Sequence, residues 1–257
     1  MPEHITLSAS QLVAHRGYQR CYPENTAIGV TEAINAGALF VEIDIQLSSD
    51  HQPMVYHDIN LHRVSGCGGT ITDLTLEQLQ TISAYEPKRF ATQFIDETIA
   101  TLQSVVEIIR QHPAVTLFVE LKEQSIAQFG AAIMLQSVCE VLQPITQRAV
   151  LISFDYNIIQ SARNQGWPQV GVVLRNWADI DSPQVRAIAG EYTFVDYAMI
   201  PRDDDRSRLN TRLVAYEVGT VKLAKKLSRQ KVDMLETFDI KGLLGQGESI
   251  KKQPGQL

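Results

Sequence analysis

The chain has 257 residues, a formal net charge of −6 and a pI near 5.5, so it has no overall basic field with which to gather nucleic acid or anionic lipid, and any anion must be bound locally. Hydrophobic residues make up 44% and charged residues 20%, which supplies one large core and excludes a disordered chain. No run approaches the roughly 20 apolar residues of a membrane-spanning helix, the start lacks the basic and apolar blocks of a secretory signal, and Cys21, Cys67 and Cys139 fit neither a disulfide framework nor a paired metal spacing; a cytoplasmic protein with free thiols is expected.

In chain order, short apolar runs alternate with helical periodicity. The expected strands are Leu12 to Ala14, Phe40 to Ile45, Val115 to Leu121, Ala149 to Ser153, Val170 to Leu174, Thr193 to Val195, Leu213 to Val218 and Val232 to Glu236. Helices fit between them, among them Thr26 to Ala36 before Gly37, Leu102 to Arg110 before Pro113, and Ile126 to Leu142 before Pro144. Eight strands with intervening helices in a chain of this length predict an α/β fold, a single (β/α)8 TIM barrel over residues 1–257.

Two stretches break the rhythm. Ile59 to Glu97 reads as an insertion after the second barrel strand, with a short helix at Leu76 to Ile82, placed to cap one barrel end. Pro201 to Thr211, with Asp203, Asp204, Asp205, Arg206 and Arg208, has no apolar stripe, so the sixth outer helix is expected to be shortened or missing and the acidic run to be solvated surface. Lys222, Lys225, Lys226, Arg229 and Lys231 read as the solvated face of the seventh helix, and Gly245 to Leu257 as a polar, frayed end.

Unusual polar residues fall at the C-terminal ends of the strands, the face on which barrel active sites are built. Glu42 and Asp44 are two apart on the second strand and Glu120 and Lys122 two apart on the third, so each pair shares one face. One such acid would more often pair with a basic side chain; three converging carboxylates call for a hard divalent cation, Mg²⁺ or Ca²⁺. His15 and Arg16 follow the first strand before the turn at Gly17, and His57 follows the extended run Met54, Val55, Tyr56, with Asp58 beside it either to orient the ring or to cap the next turn. Two histidines beside a cation, with Arg16 and Lys122 to grip a phosphate, suit phosphodiester cleavage with one imidazole as base and the other as acid.

These residues, His15-Arg16-Gly17, Pro23-Glu24-Asn25-Thr26, Glu42 and Asp44, then His57-Asp58, in this order and spacing, resemble the glycerophosphodiester phosphodiesterase family. The resemblance continues through Leu61, Arg63, Gly66, Asp73, Leu79, Glu120-Leu121-Lys122, Ser153-Phe154, Val232-Asp233, Thr237 and Asp239, and so spans nearly the whole chain. It implies metal binding by Glu42, Asp44 and Glu120, acid-base work by His15 and His57, and phosphate binding by Arg16 and Lys122. The implied reaction is hydrolysis of a soluble glycerophosphodiester, such as glycerophosphocholine or glycerophosphoethanolamine, to glycerol 3-phosphate and an alcohol, through a cyclic phosphate. A lysophospholipase D, which needs an apolar groove, and a catalytically idle phosphodiester-binding barrel are the competing readings. The chain departs from the family pattern at Tyr216-Glu217-Val218-Gly219 and at Phe238, which splits the closing Thr and Asp after Glu236.

Overall fold

The computed structural model describes residues 7–202, 206 and 209–245. The acidic run Asp203 to Asp205, Arg208 and the chain after Gly245 lie outside the described residues.

Among the described residues nine strands form: β1 Leu12–Ala14, β2 Phe40–Leu47, β3 Pro53–Val55, β4 Thr116–Leu121, β5 Ala149–Ser153, β6 Val170–Val173, β7 Tyr192–Asp196, β8 Arg212–Tyr216 and β9 Met234–Thr237. Eight of them run parallel in the order β1-β9-β8-β7-β6-β5-β4-β2, and the β1–β2 pairing at Ala14 and Val41 closes the barrel. The ninth, β3, lies antiparallel on β2, with Ile45 opposite Val55 and Leu47 opposite Pro53. That extra partner is why β2 runs two residues beyond its expected end at Ile45.

Side chains alternate across the strands, so each strand feeds two cores. Val13, Phe118, Val150, Val173, Phe194, Val214 and Met234, from seven different strands, meet in one buried cluster inside the barrel. Their neighbours, such as Leu12, Val41, Ile43, Leu117, Val119, Leu151 and Leu235, pack outward under the helices. Each of these large side chains contributes roughly 1.5–3 kcal/mol by leaving water. Because Val41, Ile43 and Ile45 face outward on β2, Glu42 and Asp44 must face the lumen; the same alternation turns Glu120 inward on β4 and Glu236 inward on β9.

The first helix, Ala27–Asn35, is capped by Thr26, whose side chain accepts from the Gly29 amide. Gly17 docks the β1 loop on this helix: its φ is +79°, and a Cβ there would sit 2.6 Å from the Gly29 carbonyl carbon. Gly17→Ala is therefore expected to cost roughly 2–4 kcal/mol by strain and overlap, read as a lower urea midpoint.

The expected single helix Ile126 to Leu142 is two, Glu123–Phe129 and Ala131–Leu142, broken at Gly130 with φ +89°. The apolar periodicity is continuous across the break, so nothing but the glycine marked it. Among the described residues, β7 and β8 are joined by the 3-10 turn Tyr197–Met199 and a 3-10 residue at Arg206, with no α-helix; much of the stretch expected to shorten the sixth helix lies outside the described residues. The insertion packs a small core of Leu61, Val64, Ile71 and Leu79 against Met54 and Tyr56, and it holds three short α-helices, His62–Ser65, Leu76–Leu79 and Pro87–Phe90, where one, Leu76 to Ile82, was expected. It leans over the β1 loop, where Glu86 accepts from the Glu24 amide at 2.9 Å. Among the described residues no single helix is long and apolar enough to cross a membrane.

Candidate active site

All seven side chains expected at the site lie at the C-terminal mouth of the barrel. Six of them, His15, Arg16, Glu42, His57, Glu120 and Lys122, line one cavity of about 280 Å³, with Ile152, Phe154, Val173, Phe194, Tyr216, Glu217 and Glu236 completing its wall. Asp44 lies beneath, buried, and ties the others together. Its carboxylate accepts from Asn25 Nδ2 at 2.8 Å and from Lys122 Nζ at 3.2 Å, and lies 3.1 Å from Arg16 Nε. Burial pushes its acidity down, but Lys122, Arg16 and Asn25 outweigh burial and hold Asp44 below the usual carboxylate range. Lys122 also donates to Glu120 at 2.7 Å.

Glu42 has no such support. Its Oε2 accepts only the Arg16 amide, at 3.1 Å, and lies 3.9 Å from His15 Nε2. Burial, together with Asp44, Glu236 and Glu120 nearby, pushes the Glu42 carboxyl well above its usual range. Four carboxyl groups (Glu42, Asp44, Glu120, Glu236) thus gather about two cations (Arg16, Lys122), one of which, Arg16, also pairs with Glu24, so carboxyls outnumber cationic side chains here. Glu42, Asp44 and Glu120 each offer an oxygen within 4.8 Å of the others. Oxygen donors at this spacing and in that excess fit one hard divalent cation.

The two histidines are held differently. His15 is buried, its Nδ1 has no hydrogen-bond partner, and its ring lies 5.1 Å from that of Phe238. Burial, and then Arg16, pushes it down to about 3, so it is a neutral imidazole at physiological pH. His57 is partly open to solvent and shares a 2.6 Å hydrogen bond between Nδ1 and Asp58. Asp58 is gripped by Arg63 at 2.7 Å and 2.9 Å, and Arg63 reaches on to Glu24 at 2.8 Å and 2.7 Å. Glu24 in turn accepts from Arg16 at 3.0 Å. A continuous chain of charge-assisted hydrogen bonds therefore runs from His57 through the insertion to Arg16, whose guanidinium forms an ion pair with Asp44. Arg16 and Asn25 adopt φ of 52° and 56°, the left-handed region, where both side chains are over-determined by these bonds.

Arg63 is expected to act through His57. Arg63→Ala, which leaves Asp58 with His57 as its one partner and Glu24 short of one, should lower kcat about 10- to 100-fold, with Arg63→Lys intermediate; unchanged kcat in both variants would show that the strut is not needed.

Sequence reasoning left Arg63 and Glu24 without roles, because their meeting joins the insertion to the β1 loop across 39 residues. It also placed Glu236 among rim departures. The signal was present: Glu236 is the last inward position of its strand, as Glu120 is of β4.

The sequence profile of the glycerophosphoryl diester phosphodiesterase family matches residues 15–196, well over half the chain. The chain belongs to this family. It is accordingly an enzyme, a glycerophosphodiester phosphodiesterase. The Bacillus subtilis protein YhdW is 28% identical over 241 residues, covering 88% of this chain and 93% of that protein. A glycerophosphodiester phosphodiesterase of Bacillus altitudinis is 31% identical over 151 residues, covering 57% of this chain and 59% of its own. A phosphodiesterase of Oleispira antarctica, solved with the product sn-glycerol-3-phosphate, superposes with a TM-score of 0.81 at 25% identity over 93% of this chain and 97% of that one. The family's barrel thus accounts for the fold.

Proposed function

We propose that the enzyme hydrolyses soluble glycerophosphodiesters, with glycerophosphocholine and glycerophosphoethanolamine as substrates, by acid-base catalysis from His15 and His57 with one divalent cation, Mg²⁺ or Ca²⁺. The observation that carries this reading is that both histidines line one cavity with Glu42, Glu120, Arg16 and Lys122. Glu42, Asp44 and Glu120 would hold the cation, whose chemistry is to offset negative charge on the phosphoryl oxygens.

The chain's own groups do the rest. Lys122 and Arg16, fixed by their carboxylates, present positive charge to the phosphate without needing to reorganise. His15, neutral at physiological pH, takes the proton from the hydroxyl that attacks phosphorus. His57, with Asp58 behind it to stabilise the imidazolium, gives its proton to the departing alkoxide; water, giving its proton to His57, then opens the cyclic phosphate while His15 returns its proton to the freed glycerol oxygen. Beside the inner cavity lies an outer one of about 440 Å³ lined by His57, Asp58, Ile59, Asn60, Glu120, Lys122, Glu123, Gln124, Phe154 and Arg175. All of these residues but Ile59 and Phe154 are polar or charged, which suits a small hydrophilic alcohol better than an acyl chain.

The deciding experiment measures release of glycerol 3-phosphate from both substrates by chelated protein, with and without Mg²⁺ or Ca²⁺. Cation-dependent release supports the reading; silence with both cations would overturn it.

A further inference from the structure

Three strands that lie side by side, β9, β1 and β2, carry a second cluster of ligand groups at the barrel mouth. Glu236 points inward from β9 and Glu42 from β2, and His15 follows β1 between them, its amide donating to the Thr237 carbonyl at 3.0 Å. A carboxyl oxygen of each acid and a ring nitrogen of His15 lie within 4.8 Å of one another. The proposed catalysis gives Glu236 no task. It is 3% exposed and its Oε1 has no hydrogen-bond partner, and His15 Nδ1, also buried, has none either. Charged or protonated, a buried carboxyl without a partner costs stability that an apolar side chain would not, and other strands fill the same cavity wall with Ile152, Val173 and Phe194.

We propose that His15, Glu42 and Glu236 form a second cation site, which shares Glu42 with the Glu42, Asp44 and Glu120 triad, takes Zn²⁺ or a similar borderline cation, and inhibits the enzyme when filled. The donor set decides the metal. An imidazole beside two carboxylates suits Zn²⁺, which binds nitrogen and oxygen in tetrahedral sites with a fourth position open to water, whereas Mg²⁺ demands six oxygens and keeps several waters. Zinc bonds of roughly 2.0–2.2 Å ask the three side chains to close in by under about an ångström each. His15 Nε2 already lies 3.9 Å from Glu42 Oε2. Lys122 is turned to Asp44 and Glu120, and the Arg16 guanidinium to Asp44 and Glu24, so neither cationic side chain pairs with Glu42 or Glu236. Inhibition follows from the histidine. A neutral imidazole has one acceptor lone pair, and a ring that gives it to Zn²⁺ cannot take the proton of the attacking hydroxyl. That consequence rests on the acid-base reading above, while the site itself does not.

The test is calorimetric titration of Zn²⁺ into protein held in excess Mg²⁺, so that the triad is filled and Zn²⁺ reports the second cluster. The parent is expected to bind one such Zn²⁺ per chain. Glu236→Gln, which is isosteric, and His15→Ala, on a different strand, should each weaken that binding at least about tenfold, a difference of about 1.4 kcal/mol. Mg²⁺ affinity in Glu236→Gln should stay within about twofold of the parent's. Zn²⁺ bound as tightly by both variants, or not bound by the Mg²⁺-loaded parent, overturns the proposal. So does a tenfold loss of Mg²⁺ affinity in Glu236→Gln, which would make Glu236 a ligand of the first cation. Turnover of glycerophosphocholine then reads the consequence: Zn²⁺ that half fills the site should halve the parent's Mg²⁺-dependent rate, and Glu236→Gln should need about tenfold more Zn²⁺. Zn²⁺ filling the cluster with no loss of rate overturns the inhibition. A parent that binds Zn²⁺ through His15 and Glu236 but turns over nothing with Mg²⁺ overturns the acid-base reading and supports the site.

Discussion

His57→Ala and His15→Ala are each expected to lower kcat roughly 10²–10⁴-fold, the usual worth of a positioned proton donor or acceptor. The fold should survive both changes. His57 is partly exposed and bonded only to Asp58, and His15 carries a buried ring nitrogen with no partner, so neither side chain anchors the barrel. Substrate affinity should change little, because Arg16, Lys122 and the acidic triad remain in place. The two variants should differ in one respect. A substrate with an activated leaving group, such as a nitrophenyl phosphodiester, needs no proton on its departing oxygen and should restore much of the rate to His57→Ala but not to His15→Ala. Equal rescue of both, or parent-like turnover in either, would remove the assignment of acid and base.

Glu42→Gln should separate stability from function. At neutral pH the parent holds Glu42 among Asp44, Glu236 and Glu120 without a cationic side chain of its own, so neutralising it relieves repulsion while the amide oxygen keeps the bond from the Arg16 amide. The chelated variant should be at least as stable as the chelated parent. Cation binding should tell the opposite story: at a hundredfold excess over Kd the parent gains about 2.7 kcal/mol, roughly 5–10 °C in Tm for a chain of this size, and the variant should lose most of that gain. The pH dependence follows from the sign of the shift. Glu42 titrates above its unfolded value of 4.5, so its protonated form contributes stability fully present below 4.5, which is lost as pH rises through the folded value. The advantage of the chelated variant over the chelated parent should therefore grow as pH rises from 4.5. His15, pushed down from 6.5 to about 3, acts in the opposite sense but is common to both proteins and cancels in the difference. A difference that shrinks with rising pH, or an undiminished cation response in the variant, would sink the assignment of Glu42. Asp44→Ala should behave otherwise, since it leaves buried Lys122 with Glu120 alone and Arg16 with Glu24 alone, and should cost roughly 3–5 kcal/mol even without cation.

How much of this was legible follows from the range of the forces involved. Strand positions were readable because alternation of apolar and polar side chains is a local property; β1 and β5 have the expected limits, and the other barrel strands differ only at their ends. The same alternation put Glu42 and Asp44, and then Glu120, on the inner face before any contact was known. The bend at Gly130 was hidden because both helix halves continue one apolar stripe, and the last two residues of β2 were hidden because β3 supplies their partner from a separate segment.

By itself, then, the order of residues determined a closed parallel barrel, the end of it that carries chemistry, and the residue types gathered there, since each of these follows from short-range periodicity and from motifs lying at strand ends. Only the tertiary structure decided which charges pair: Arg63 bridges Asp58 and Glu24, Lys122 bridges Asp44 and Glu120, and Glu42 and Glu236 are left without cationic partners. Pairing depends on distances of a few ångströms between strands and loops far apart in the chain, and the low dielectric of the barrel mouth turns those distances into large differences in proton affinity.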